Sequence, residues 1–167
     1  DVLASASEIP DVLLKNVMIS RAAVIYTKIG DYEQAKKLAF NLSGKNRWDV
    51  LREIFIQSHA HRTAENPIVT ISDLLTDLQE IADINSKVLA LVDMSKVYLM
   101  LGDSIHARVM VKEATDLAYK IEHPIRLRIE AFAQISRIYF SLHDKDSALK
   151  MLAQANQTLK DMDDMFD

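Results

Sequence analysis

The chain has 167 residues and a net charge of −4, and 49% of its residues are apolar, with only three glycines, three prolines and no cysteine. This composition excludes a disordered chain, and the missing cysteines exclude disulfides, thiolate chemistry and cysteine-based zinc sites. The scarcity of turn-forming residues excludes an all-β fold, and the mild acidity disfavours nucleic acid as the main partner.

Apolar residues recur at the three- and four-residue spacing of amphipathic helices along almost the whole chain. Gly30, Gly44 and Gly102 are predicted to end helices. Pro124 is predicted to begin one, because the first turn of a helix tolerates its missing N–H. The longest predicted break is the polar loop 62–70. In chain order, the eight predicted helices cover residues 10–29, 31–42, 48–61, 73–81, 86–101, 104–123, 124–142 and 149–159.

Three stretches of the chain share one pattern. Each has a tyrosine, then a turn that ends in Asp, then an alanine nine residues after the tyrosine. The tyrosines are Tyr26, Tyr98 and Tyr139, and each has a small residue three positions before it. The first two lie 72 residues apart, which is twice 36, so a degenerate copy made of the third and fourth helices is predicted between them. Eight helices then form about four hairpins.

The sequence GDYEQA at residues 30–35 resembles the turn of the tetratricopeptide repeat family, whose unit of about 34 residues is a pair of antiparallel helices. The later turns depart from it, with Ser104 in place of the aromatic residue and His143 in place of glycine. The resemblance covers roughly residues 16–159. It implies an all-α, right-handed α-solenoid of about four TPR-like hairpins, with residues 1–167 as a single domain.

In that family the first helices of successive hairpins line a concave groove in which partners bind. The resemblance places a basic line of His59, Lys96 and Arg137 in this groove, beside an apolar strip. Such a surface suits an acidic, partly apolar peptide, because charge-assisted hydrogen bonds and aromatic contacts would both be available. The predicted partner-binding groove consists of Phe55, His59, Arg62, Val92, Lys96, Arg137 and Phe140.

No pattern for catalysis, a cofactor or a metal is found. His59 and His61 point about 200° apart on a helix and cannot chelate one metal ion, unlike a pair four residues apart. The other three histidines are predicted near helix ends, where histidine is common. The glycines are isolated helix stops and do not form a phosphate-binding loop. We therefore expect no enzyme, no cofactor and no metal site.

We expect a protein–protein interaction scaffold or adaptor that binds a peptide or partner protein in the groove. Two alternatives stay open. One is an oligomerisation domain that forms a homodimer, since the apolar residues Leu149, Met151, Leu152 and Leu159 of the last helix have no predicted cover. The other is a regulatory sensor domain of a larger protein, an idea that depends on fold analogy alone.

The longest apolar runs fall short of the roughly 18 residues that a membrane-spanning helix requires. We therefore expect a soluble chain without membrane insertion. No signal peptide is visible, and the sequence leaves the compartment open, with the cytoplasm slightly favoured. Because the first residue is Asp1 and not methionine, we expect the chain to be a fragment of a longer protein.

Overall fold

The computed structural model describes residues 2–60 and 68–163, with only the backbone of residue 163. These residues form nine α-helices and no strand, which confirms the predicted all-α class for the described part of the chain.

The chain divides into two compact units, Asp1–Ala82 and Asp83–Asp167. The helices of the first unit are α1 (Val2–Ser7), α2 (Val12–Lys28), α3 (Tyr32–Ala39), α4 (Gly44–Ala60) and α5 (Ile71–Gln79). Those of the second are α6 (Ile84–Met100), α7 (Ser104–Ala118), α8 (Ile125–Ser141) and α9 (Lys145–Asp163).

Helices pack in the same order within each unit. In the first unit α2 packs against α3 and α4, α3 packs against α4, and α4 packs against α5. In the second unit α6 packs against α7 and α8, α7 packs against α8, and α8 packs against α9. Each unit therefore contains two helix pairs, and the first helix of the second pair contacts both helices of the first.

Three of the turns between paired helices have identical backbone hydrogen bonds. In each, the N–H of the turn aspartate donates to the carbonyl oxygen of the tyrosine five residues earlier, at 2.9 Å. The residue before the aspartate has a positive φ, which is 84° at Gly30, 77° at Gly102 and 59° at His143. This is the Schellman ending of a helix, in which a residue in the left-handed region reverses the chain. The donor–acceptor pairs are Asp31–Tyr26, Asp103–Tyr98 and Asp144–Tyr139.

The same aspartates also begin the following helices. Their carboxylates accept hydrogen bonds from the backbone N–H three residues later, at 3.1 Å for Asp31, 3.0 Å for Asp103 and 3.1 Å for Asp144. Such a bond satisfies an N–H that has no partner inside the helix. It also stabilises the charged carboxylate, so the backbone N–H groups of His106 and Ser147 lower the pKa of Asp103 and Asp144.

Small side chains lie where the paired helices cross. Ala35 and Ala107 are completely buried, and Ala148 is nearly so. In the last pair the hydroxyl of Ser136 donates to the carbonyl oxygen of Ala148 at 2.8 Å. This bond places Ser136 on α8 opposite Ala148 on α9. A larger residue at either position would force the two backbones apart.

Several predicted boundaries were wrong. A helix not predicted at all, α1, precedes the first predicted helix. Gly44 begins α4 and does not end α3. α3 stops at Ala39, where three-residue backbone bonds follow and the side-chain amide of Asn41 donates to the carbonyl oxygen of Lys37 at 2.9 Å. α7 ends at Ala118, five residues before its predicted end, since three-residue backbone bonds tighten the chain there and turn Ile121 into the core.

The left-handed residue of the last turn yields a stability prediction. A residue other than glycine lowers the free energy of unfolding by roughly 1–2 kcal/mol when its backbone is left-handed. The side chain of His143 is exposed, so little packing offsets this cost. His143→Gly should therefore raise the free energy of unfolding by about 1 kcal/mol. The measurement is urea unfolding followed by circular dichroism.

The matched control is Gly102→Ala in the equivalent turn. Nothing lies within 4 Å of the added Cβ, so the whole cost of this change comes from φ +77°. It should lower the free energy of unfolding by about 1 kcal/mol. Equal stability of His143→Gly and the parent chain would contradict this account of the turn.

Candidate functional site

Two of the predicted groove residues are core residues. Phe55 on α4 and Val92 on α6 are buried, so neither can contact a partner, and the prediction was wrong for both. His59 is exposed and stacks on Phe55, with ring centroids 5.8 Å apart, because four residues separate neighbouring positions on a helix face. Arg62 lies outside the described residues. Phe55 and His59 belong to the first unit, and the remaining predicted residues belong to the second.

Lys96 on α6 is exposed, but its ammonium already has partners. It donates to a carboxylate oxygen of Asp93 at 2.8 Å and to the side-chain oxygen of Gln134 on α8 at 3.1 Å. Gln134 in turn donates to Glu130 at 3.1 Å. Lys96 therefore links α6 to α8, and part of its charge is compensated within the second unit.

Arg137 and Phe140 do come together. Both line an open groove between α8 and α9 with a volume of about 550 Å³. We call it the α8–α9 groove. Its lining consists of Ala133, Ser136, Arg137, Phe140 and Ser141 of α8 and of Lys145, Ala148, Leu149 and Leu152 of α9.

The turn and the helix crossing shape this groove. Because Ser136 and Ala148 are small and hydrogen-bonded, α8 and α9 lie close together and form a shallow floor. Larger apolar side chains stand at its sides, where Phe140 is 66% exposed and Leu149 is 65% exposed. Exposed apolar side chains that lie together mark interaction surfaces more often than scattered ones do.

The lining of the groove is positively charged at two places. The lining residues include Arg137 and Lys145 and no carboxylate. Neither cation is in an ion pair with any other residue that the structure describes. The turn carboxylate of Asp144 accepts from the backbone N–H of Ser147 at 3.1 Å and from Arg108 at 3.0 Å. Both cations therefore remain available to a ligand.

Sequence reasoning missed Lys145 as a site residue. It treated Leu149 and Leu152 only as an uncovered end of the last helix. The repeat pattern could have identified both residues. It predicts Ala148 at the helix crossing, nine residues after Tyr139, and Lys145 and Leu149 precede and follow that alanine on the same helix. The spacing of Leu149 and Leu152 on one helix face then completes the apolar side of the groove.

A second apolar surface lies in the first unit, on α2. Leu14, Val17 and Ile25 are exposed there and line an open cavity of about 480 Å³. Arg21 is the charged member of its lining. α2 therefore has apolar side chains on its exposed surface in addition to the buried Ile19 and Ala23. We call this surface the α2 face.

Within residues 2–60 and 68–163, no three side chains of His, Asp or Glu lie together as metal ligands. No helix within the same ranges has both the length and the apolar character that crossing a membrane requires.

No protein-family model, no curated protein and no solved structure matches the chain.

The exposure of the groove yields a prediction about two neighbouring residues of α9. Leu149→Glu should change the free energy of unfolding by less than about 0.5 kcal/mol, since the side chain is mostly in solvent. Met151→Ala should lower it by about 2–5 kcal/mol, because Met151 is buried and leaves a cavity. Urea unfolding of both variants is the measurement. A large loss for Leu149→Glu would mean that another part of the chain covers the groove.

Proposed function

We propose that this chain is a TPR-like helical repeat protein, built as an α-solenoid, which binds a partner protein or peptide and catalyses no reaction. The observation that carries the proposal is the α8–α9 groove, a long apolar surface with two unpaired cations. Its place between two packed helices distinguishes it from single exposed apolar residues, which are common on protein surfaces.

The repeat part of the proposal is supported by geometry within each unit. The three turns have the same hydrogen bonds at the same distances, and the helices of both units pack in the same order. Stacked helical pairs bury one face of each pair against the next, so the last pair of a stack exposes an apolar face. The groove lies on such a face of the last described pair.

The binding part is supported by composition. Specific interfaces combine a few large apolar or aromatic anchors with arginine, and Phe140, Leu149 and Arg137 supply these on one surface. A catalytic function would require convergent reactive groups. The groove lining offers two hydroxyls, and both are already hydrogen-bonded: Ser136 donates to the carbonyl oxygen of Ala148, and Ser141 donates to the backbone carbonyl oxygen of Arg137.

Selection from a displayed library of helical peptides tests the function. Peptides enriched on the parent chain should bind Leu149→Glu at least about tenfold more weakly, because the bound peptide would bury the new charge at the apolar side of the groove. The measurement is fluorescence anisotropy with each selected peptide.

The control variant is Ile105→Glu, which places the same charge at an exposed apolar residue of α7 outside the groove. Its affinity for the selected peptides should equal that of the parent chain. If no peptide is enriched, or if Leu149→Glu binds every selected peptide as well as the parent does, the groove is not a binding site for proteins.

A second function, self-association, is favoured by the α2 face of the first unit. An exposed apolar helix face can pair with the same face of another copy in a two-fold dimer. The proposal is specific to α2, because Leu14, Val17 and Ile25 form one continuous surface there.

Light scattering after size-exclusion chromatography tests this second function over about a hundredfold range of concentration. We expect a dimer at the upper end and a monomer for Leu14→Glu at every concentration, since a buried charge opposes pairing. Ile105→Glu should dimerise as the parent chain does. A parent chain that is monomeric throughout excludes self-association through α2.

A further inference from the structure

We propose that the α8–α9 groove binds an acidic amphipathic helix of a partner protein. The apolar face of that helix packs on Phe140, Leu149 and Leu152. Its carboxylates accept hydrogen bonds from Arg137 and Lys145. This inference rests on the proposed binding function and adds the shape and the charge of the ligand.

The shape follows from the preceding helix pair of the same unit. α8 packs against both α6 and α7. It is joined to α6 by the hydrogen bond between Lys96 and Gln134, and to α7 by the contact between the hydroxyls of Tyr139 and Thr115 at 3.3 Å. The groove between α6 and α7 is therefore filled by a helix. The pair α8 and α9 has the same turn and the same small residues at its crossing, so its groove has the same form.

Equivalent positions in the two grooves show what a seated helix would cover. Counted from their tyrosines, Val111 of α7 corresponds to Leu152 of α9. Val111 is 0% exposed, whereas Leu152 is 46% exposed. Val92 of α6, also buried, corresponds to Ala133 of α8. At these two positions the α8–α9 groove presents what a helix covers in the pair before it, whereas Arg108, the equivalent of Leu149, stays exposed beside α8.

Equivalent cations indicate the polar part of the ligand. Lys96 corresponds to Arg137, and Lys96 donates to Gln134 on the helix seated beside it. Arg137 has no acceptor among the described residues. A helix seated on α8 and α9 would therefore offer an acceptor to Arg137 at the same place. A carboxylate suits arginine best, because charge-assisted hydrogen bonds are shorter and stronger than neutral ones.

Lys145 extends the charged side of the groove. Since Ser136 lies opposite Ala148, the antiparallel pairing places Lys145 within about one helical turn of Arg137 along the groove. Carboxylates three or four residues apart on a ligand helix have this separation. The lining itself extends over about 12 Å, slightly more than two turns, which accommodates apolar residues at i, i+3 or i+4, and i+7.

A small enclosed ligand fits this groove less well. Sites for small molecules bury most of the ligand surface, whereas Phe140 and Leu149 stand two-thirds exposed on an open face. A helix laid along the groove would cover both side chains and leave its own polar side in solvent. The geometry thus favours the recognition of a helix in a groove.

Three labelled peptides of about 18 residues test the proposal, a length at which designed helices form in water. All have leucine at the spacing given above, and the two flanking positions that face the cations carry Glu, Gln or Lys. We expect the parent chain to bind the Glu peptide about tenfold more tightly than the Lys peptide, with the Gln peptide between them. Fluorescence anisotropy at low salt measures the three affinities.

The decisive variant is the double charge reversal of Arg137→Glu with Lys145→Glu, which should bind the Lys peptide more tightly than the Glu peptide. The control pair is Arg126→Glu with Lys150→Glu. Both are exposed residues of α8 and α9 outside the groove lining, so the net charge change is equal. This control should keep the parent's order of affinities.

Each other outcome has a defined meaning. If the three peptides bind equally and Leu149→Glu weakens all of them, the proposed function stands and the acidic ligand is wrong. If the folded chain binds none of the three, the helical ligand is wrong, while peptides enriched in the selection would still support binding at the groove. A dimer of the parent chain that the double reversal dissociates would place a second copy in the groove and overturn the proposal.

Discussion

One hydrogen bond recurs in three turns of this chain, from the N–H of an aspartate to the carbonyl oxygen of the tyrosine five residues before it. The same aspartate then caps the next helix with its carboxylate, so one residue both ends a helix and begins another. The chain reverses within this short turn, and the two helices that it joins must lie antiparallel and adjacent. The antiparallel direction of the helices in the three hairpins follows from that constraint.

Small residues at the helix crossing produce the groove beside it. Where Ser136 meets Ala148 the helices approach closely, and the side chains just beyond the crossing spread apart on either side. In the second unit this arrangement occurs twice. It is filled by α8 in one case and open to solvent in the other. The candidate site is therefore a repeated packing position of the fold that has no occupant in the described residues.

The turns could be predicted from the sequence because they depend on residues within a span of ten, such as Tyr98 to Ala107. The all-α class was predictable for the same reason, since periodicity is local. The ends of α3 and α7 were not, because each helix passes into three-residue backbone bonds that bring Leu42 and Ile121 into the core, and this burial depends on the neighbouring helices. Phe55 and Val92 were misplaced since burial depends on neighbouring helices. Arg137 and Phe140 were predicted in a groove lined by successive hairpins, whereas they line the groove between α8 and α9. Their neighbours on α9 come from the helix crossing, which the sequence pattern does not show directly.

The turn also determines how such a chain reaches its structure. Each hairpin closes through contacts between residues only a few positions apart, so the entropy lost in forming it is small and does not depend on the remainder of the chain. Folding can begin at any hairpin with this turn and spread to its neighbours. During synthesis on a ribosome, the hairpin around Asp31 can therefore form before the hairpin around Asp144 has been made.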